Sequence, residues 1–272
     1  MSRYTKPKII QGDFFEEYNQ HLRAKSVDLF LADPPYGLFS DNKDVTGVDD
    51  PEINLDKLET ALDHLVTKTG QVILFCDLDL MIKLKQQFTK FEFRFNYVAY
   101  KNNGSPTHKT RPLNNIEYIA VFQRKDVKAT DLTFNPKESG RVGNPYRKRN
   151  YNRDHSTRDI KKREVDINES GKRHIKQSLE MKSKCCLTDT EKTGHPFQKP
   201  ERLLRILIKV HSNKNALICD GFAGSGSTLV SANKENRRSI GFESDKKWYK
   251  VAKDRIQQET SKLNLFSSEV KK

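Results

Sequence analysis

The chain has 272 residues, of which 35% are hydrophobic and 32% charged, with a formal net charge of +14. That length accommodates one large α/β domain, or a domain plus an insertion, and the basic excess favours a polyanionic partner such as nucleic acid. No apolar run approaches about 18 residues, and the opening MSRYTKPKII lacks the apolar core of a signal peptide, so a cytoplasmic protein without a membrane segment is expected.

In chain order, KII (8–10) and VDLFLA (27–32) read as strands, followed by an amphipathic helix over PEINLDKLETALDHLVTK (51–68). QVILFC (71–76) is a strand, LDLMIKLKQQFTK (78–90) a helix, and FRFNYVAY (93–100) and IEYIAVFQ (116–123) a further pair of strands. The turn-rich KNNGSPTHKTRPLNN between those two implies an antiparallel pair. PERLLRILIKV (200–210), STLVSANKEN (227–236) and DKKWYKVAKDRIQQ (245–258) carry apolar residues at helical spacing, around the strands ALICD (216–220) and RSIGFE (238–243). Several strands are apolar on both faces. This alternation predicts a doubly wound, mostly parallel sheet with helices on both sides.

The rhythm breaks over 124–192, where 19 Lys and Arg face 11 Asp and Glu. YRKRNYNRDHSTRDIKKR interleaves tyrosines with cations, as phosphate and base contacts require, and a plain linker needs no such positive bias. Candidate nucleic-acid contacts are Arg141, Arg147, Lys148, Arg149 and Arg153. The expected organisation is one half of a domain (1–123), a basic insertion (124–192), a second half of the same domain (193–260) and a polar, frayed tail (261–272). Cys76, Cys185, Cys186 and Cys219 form no C-x-x-C pair, so neither a disulfide framework nor a zinc site is expected, and no other metal is invoked.

Two loops carry the chemistry. ALICDGFAGSGSTLV is strand, glycine turn and helix start, the place where a nucleotide-like ligand lies in a doubly wound sheet. No lysine follows Gly226, which disfavours a P-loop, and Leu229 stands where a dinucleotide fingerprint needs a small residue. S-adenosylmethionine is the third candidate: Asp220 suits its positive groups, and Glu243, ending the next strand, suits ribose hydroxyls. The second loop is Asp33-Pro34-Pro35-Tyr36, after VDLFLA. Its prolines offer carbonyl acceptors without competing donors, so the stub is at least a stiff strand terminator.

Together DPPY and DGFAGSGST resemble the amino-methyltransferases of DNA, which transfer methyl from S-adenosylmethionine to exocyclic nitrogens. HPFQKPERLLRILI (195–208) resembles that family's helix beside the methionine part of the cofactor, which implies roles for Phe197 and Lys199, with Lys199 either pairing the cofactor carboxylate or standing as a surface lysine at the helix start. IIQGDFFEEY places Asp13 near the adenine end, and GFESDKKWYKVAKDRI matches the strand-acid-helix segment, adding Ser244 to Glu243. The glycine loop contributes Asp220, Phe222, Ala223, Gly224, Ser225, Gly226, Ser227 and Thr228. Catalytic strand first and cofactor loop last is a circular permutation, the family's beta group, and the stretch 100–122 is similar to the group around the MboII adenine methyltransferase. The resemblance implies a Rossmann-like fold with a catalytic half, a target-recognition insertion and a cofactor half, and a site-specific N6-adenine methyltransferase acting on double-stranded DNA, in which Asp33 and the Pro34 carbonyl hold the two N–H bonds of the amine while Tyr36 supports the base. It leaves open a homodimer, an accompanying restriction endonuclease, and the alternatives of N4-cytosine methylation, an RNA substrate or a non-catalytic DNA-binding relative. Gly221 departs from the proline usual there. His195, His21 and His64 are expected to pack rather than to catalyse.

Overall fold

The computed structural model describes residues 6–37, 51–105, 110, 112–149, 165–181, 187 and 191–269. Strand β1 (Lys8–Gln11) leads into helix α1 (Phe14–His21) and β2 (Val27–Ala32), followed by α2 (Leu55–Leu65), β3 (Val66–Cys76) and α3 (Leu78–Gln87). Next come β4 (Phe91–Ser105), β5 (Asn114–Arg124) and three short strands, β6 (Tyr146–Arg149), β7 (Val165–Asn168) and β8 (Ser178–Glu180). The chain continues through α4 (Glu201–His211), β9 (Leu217–Asp220), α5 (Ser227–Lys234), β10 (Arg238–Glu243) and α6 (Lys246–Glu269).

Eight strands make one sheet in the order β1-β10-β9-β2-β3-β5-β4-β8. The first five are mutually parallel, and β5 runs antiparallel to both β3 and β4, as the turn-rich connection implies. Neighbouring side chains of β2 serve opposite faces. Phe30 and Ala32 join a core with Leu58 and Leu62 of α2, while Leu29 and Leu31 join another with Leu203 and Leu207 of α4. Both faces are therefore dry, which is why the central strands lack polar alternation. Each fully buried Leu or Phe contributes about 1.5–3 kcal/mol, so loops at the strand ends stand on a stiff base.

Some elements differ from expectation. The helix expected over 51–68 stops at Leu65, and Val66 to Lys68 open β3 instead, because β-branched Val66, Thr67 and Thr69 favour an extended chain. Helix α1 has no counterpart among the elements expected from the pattern, because it is short and only Phe14 and Tyr18 are buried along it. Within the expected insertion, β8 pairs in parallel with β4 and extends the main sheet, so the end of that segment belongs to the domain core. Strands β6 and β7 form a separate antiparallel pair. Helix α6 runs on to Glu269, into the stretch expected as a frayed tail. Cys185 and Cys186 lie outside the described residues. Among the described residues no helix is long and apolar enough to cross a membrane.

Candidate active site

Strands β2 and β9 are neighbours, with Leu29 opposite Ile218 and Phe30 opposite Cys219. Two motifs nearly 190 residues apart thus emerge side by side at the carboxyl ends of adjacent parallel strands, where open α/β sheets form their ligand crevice. Asp33 leaves β2 and Asp220 ends β9. The antiparallel β5 brings its beginning, with Glu117, to the same end of the sheet.

The Asp33 carboxylate is held from two sides. Tyr36 donates its hydroxyl to Oδ1 at 2.7 Å, and the Lys199 ammonium lies 2.7 Å from Oδ2. The same ammonium lies 2.6 Å from Glu117 Oε1 and 5.0 Å from the centre of the Phe75 ring. Lys199 is delivered by the turn before α4. Gln198 is buried there; its Oε1 accepts from Thr193 N (3.1 Å) and Oγ1 (2.8 Å), and its amide donates to the Glu191 carbonyl. Burial raises the Asp33 pKa, Lys199 lowers it, and Glu117 raises it again, with a net upward shift. Burial also opposes the Lys199 ammonium, but Asp33 and Glu117 together hold its pKa above the ordinary lysine range. One cation is shared by two carboxylates, so the cluster is net negative. Burial and Asp33 push the Tyr36 hydroxyl well up, which keeps it a donor. Beside Tyr36 a cleft of about 440 Å³ opens between Gly37, Ile53, Asn54, Asp77 and Leu80.

The glycine loop is built for close approach. Gly224 (φ 51°) and Gly226 (φ 76°) occupy the left-handed region that L side chains resist. A Cβ at Gly224 would sit 3.1 Å from His195 Nε2, and one at Gly226 would sit 3.1 Å from Ala252 Cβ. Glu243 at the end of β10 accepts from Gly224 N (2.7 Å) and Asp245 N (2.8 Å), joining the loop to the start of α6. Burial raises its pKa, and those amides pull it partly back. Asp220 is buried, its carboxyl raised to about 7 chiefly by that burial, against hydrogen bonds from Thr228 and Phe222. Gly221 follows it. A Cβ there would meet Phe14 Cγ at 3.0 Å and Phe30 Cζ at 3.1 Å, so α1 occupies the space a larger residue would need.

The expected site residues divide. Asp33, Tyr36 and Lys199 converge directly, with Pro34 buried and Pro35 half-buried in the same turn. Asp220, Ala223, Gly224, Gly226, Thr228 and Glu243 form the neighbouring loop. Ser225 and Ser227 point behind it, where Arg255 donates to Ser227 Oγ (2.8 Å) and to the Ser225 carbonyl (3.2 Å). Phe222 packs near Phe14 and Phe15. Asp13 is exposed at the end of β1, and its Oδ1 caps α1 by accepting from Phe15 N at 2.7 Å. Ser244 is exposed beside Glu243, and Phe197 is half-buried in the turn after His195. His195 is buried on Trp248, their rings 4.4 Å apart, and its Nδ1 accepts from Phe197 N. It packs as expected. Lys199 is no surface lysine: it engages two protein carboxylates with its side chain 13% exposed. Its partner Glu117 was missed, although a lone carboxylate opening an apolar strand was a visible signal. Arg141 is exposed and donates to the His174 carbonyl at 2.9 Å. Arg147, Lys148 and Arg149 lie on β6, and Arg153 falls outside the described residues.

The family described as DNA methylase, of the N6/N4 type, matches residues 27–254. The Type II methyltransferase M.HindIII of Haemophilus influenzae is 37% identical over 86 residues, covering 32% of this chain and 27% of that protein. The chain thus spans about a quarter of that relative's length. Among solved structures, the M1.HpyAVI–SAM complex shares 22% identity with a TM-score of 0.61, covering 92% of this chain and 98% of that one. The PvuII DNA methyltransferase, described as cytosine-N4-specific, shares 13% identity with a TM-score of 0.65, over 95% and 91%. These two likenesses establish the fold.

Proposed function

The chain belongs to the DNA methylase family, and on that premise we propose that it methylates the N6 amine of an adenine swung out of duplex DNA, with S-adenosylmethionine as donor. The juxtaposition of Asp33 and the glycine loop on adjacent strands carries this reading. The loop's donor set fits that cofactor: buried Asp220 and half-buried Glu243 suit a cationic ligand with sugar hydroxyls. Asp13, Asp220, Glu243 and the backbone of 222–228 would hold it, beside Phe197 and Ser244. When bound, S-adenosylmethionine supplies an electrophilic methyl group whose bond to sulfur breaks as the amine nitrogen forms the new N–C bond, the electron pair staying on sulfur.

The protein's own part is positioning and charge. An exocyclic amine is a poor nucleophile because its lone pair is delocalised into the ring. Asp33 and the Pro34 carbonyl accept its two N–H bonds and favour a pyramidal nitrogen. The nitrogen becomes cationic on methylation, and the net negative Asp33–Lys199–Glu117 cluster stabilises that charge. The nitrogen then sheds one proton, for which Asp33 is the base in reach. Tyr36 and the cleft beside it receive the base. The basic segment within 124–192 grips the duplex through phosphate contacts. An aspartate rather than a serine before Pro34-Pro35 supports adenine over cytosine, by the family resemblance. The chain order supports the beta group.

Incubating the protein with S-adenosylmethionine and genomic DNA, then sequencing with detection of modified bases, tests this. N6-methyladenine at a defined site is expected. N4-methylcytosine would replace the base assignment, and absence of both alongside undetectable cofactor binding would favour a non-catalytic relative.

A further inference from the structure

We propose that Lys199 and Glu117 are positioning residues for the Asp33 carboxylate, with Lys199 a part of the amine-binding cluster and not a cofactor ligand. This deepens the methyltransferase reading and rests on it. Lys199 has three donors. One meets Asp33 Oδ2 at 2.7 Å, one meets Glu117 Oε1 at 2.6 Å, and the Phe75 ring lies 5.0 Å from the nitrogen. Its side chain is 13% exposed, those of Asp33 and Glu117 21% and 14%. The Gln198 clamp on Thr193 fixes the turn that aims it. A lysine so engaged has two of its three donors committed to protein carboxylates at the end of the sheet where β2 and β5 meet.

The second carboxylate gives the arrangement its purpose. A lysine alone beside Asp33 would neutralise it and weaken its grip on an amine that turns cationic. Glu117 takes a share of the ammonium, so Asp33 is oriented on one oxygen yet keeps negative charge and basicity. Tyr36 orients the other oxygen. Charged or titratable groups bearing on Asp33 come from each surrounding element: Tyr36 in its own loop, Glu117 from β5, Lys199 from the turn before α4, Asp220 from β9 and Cys76 from β3.

The test uses the full chain with Glu117→Gln, Lys199→Met and the double variant, which removes both charges and leaves Asp33 as the cluster's sole ion. Folding of each is checked by thermal unfolding. The Asp33 carboxyl is titrated by carbon NMR in aspartate-labelled protein, assigned with Asp33→Asn, so this arm needs neither cofactor nor DNA. Its midpoint should move down in Glu117→Gln and up in Lys199→Met. In calorimetry the Kd for S-adenosylmethionine should stay within about threefold of wild type in all three variants, while kcat for methyl transfer falls about tenfold or more in each single variant. An Asp33 midpoint unmoved by either substitution overturns the proposal. So does a tenfold weaker cofactor Kd in Lys199→Met, which would restore the lysine to the cofactor. A wild-type protein that methylates no duplex refutes the proposed function alone, and the titration still decides the roles of Lys199 and Glu117.

Discussion

Replacing Asp33 by alanine removes the acceptor on which the proposed chemistry turns, and its cost can be worked from the contacts. Two part-buried hydrogen bonds are lost, from the Tyr36 hydroxyl and from Lys199, and a hydrogen bond to a charged group is worth about 1.5–3 kcal/mol. Breaking a buried ion pair outright costs about 3–5 kcal/mol, but here Glu117 still holds the ammonium, and the burial penalty on Asp33 disappears with its side chain. The net loss should therefore be about 1–3 kcal/mol, lowering Tm by roughly 2–4 °C per kcal/mol for a chain of this size. The effect on turnover is larger. Removing one preorganised electrostatic group typically costs about 100- to 1,000-fold in kcat, or about 2.7–4 kcal/mol. Single-turnover transfer of labelled methyl to DNA measures that loss, and calorimetry and a DNA-binding titration should show both ligands still bound. A kcat within tenfold of wild type would refute the assignment of Asp33 as the amine acceptor.

Tyr36→Phe keeps the ring and loses one hydrogen bond to Asp33, so it should slow methylation only a few-fold, whereas Tyr36→Ala should weaken capture of the flipped base far more, measured by fluorescence of 2-aminopurine at the target position. Cofactor affinity should depend on pH through Asp220. Its carboxyl titrates near 7, so at lower pH it is increasingly neutral; a cationic ligand favours the anion, and calorimetric Kd should fall by up to about tenfold per unit as pH rises towards 7 and then level. A flat profile in wild type, or an unchanged one in Asp220→Asn, would disprove that role. Gly221→Ala places a methyl 3.0 Å from the Phe14 ring, and overpacking of this kind should cost about 1–3 kcal/mol in denaturant unfolding. Reversing the charges of Arg147, Lys148 and Arg149 should weaken duplex binding and flatten its dependence on salt, and an unchanged slope would move the footprint elsewhere.

Much of the fold was legible from local pattern. Runs such as VDLFLA and ALICD announce buried parallel strands, because a strand dry on both faces has no polar alternation to offer. The DPPY stub and the glycine turn were equally visible, since what they supply, a proline-fixed carbonyl direction and left-handed backbone at Gly224 and Gly226, is encoded within a few residues. Helix α1 escaped because eight residues with two buried aromatics carry too little periodicity to register. Strand β8 escaped because three residues in a polar stretch become a strand only when β4 offers its edge.

The site's electrostatics were not legible in the same way. Lys199 could be read from its motif as a cofactor ligand, and Glu117 passed unnoticed as the start of a strand. Their meeting depends on sheet order: β5 runs antiparallel beside β3, which carries its first residues to the end of the sheet where Asp33 emerges. An ion pair is a property of distance, and distances between residues 33, 117 and 199 are set by long-range packing. Sequence by itself determined which chemical groups the chain could bring to an amine and a methyl donor. Only the tertiary structure decided which charges face one another, because Coulomb energy depends on separation in space and burial, and neither is written in spacing along the chain.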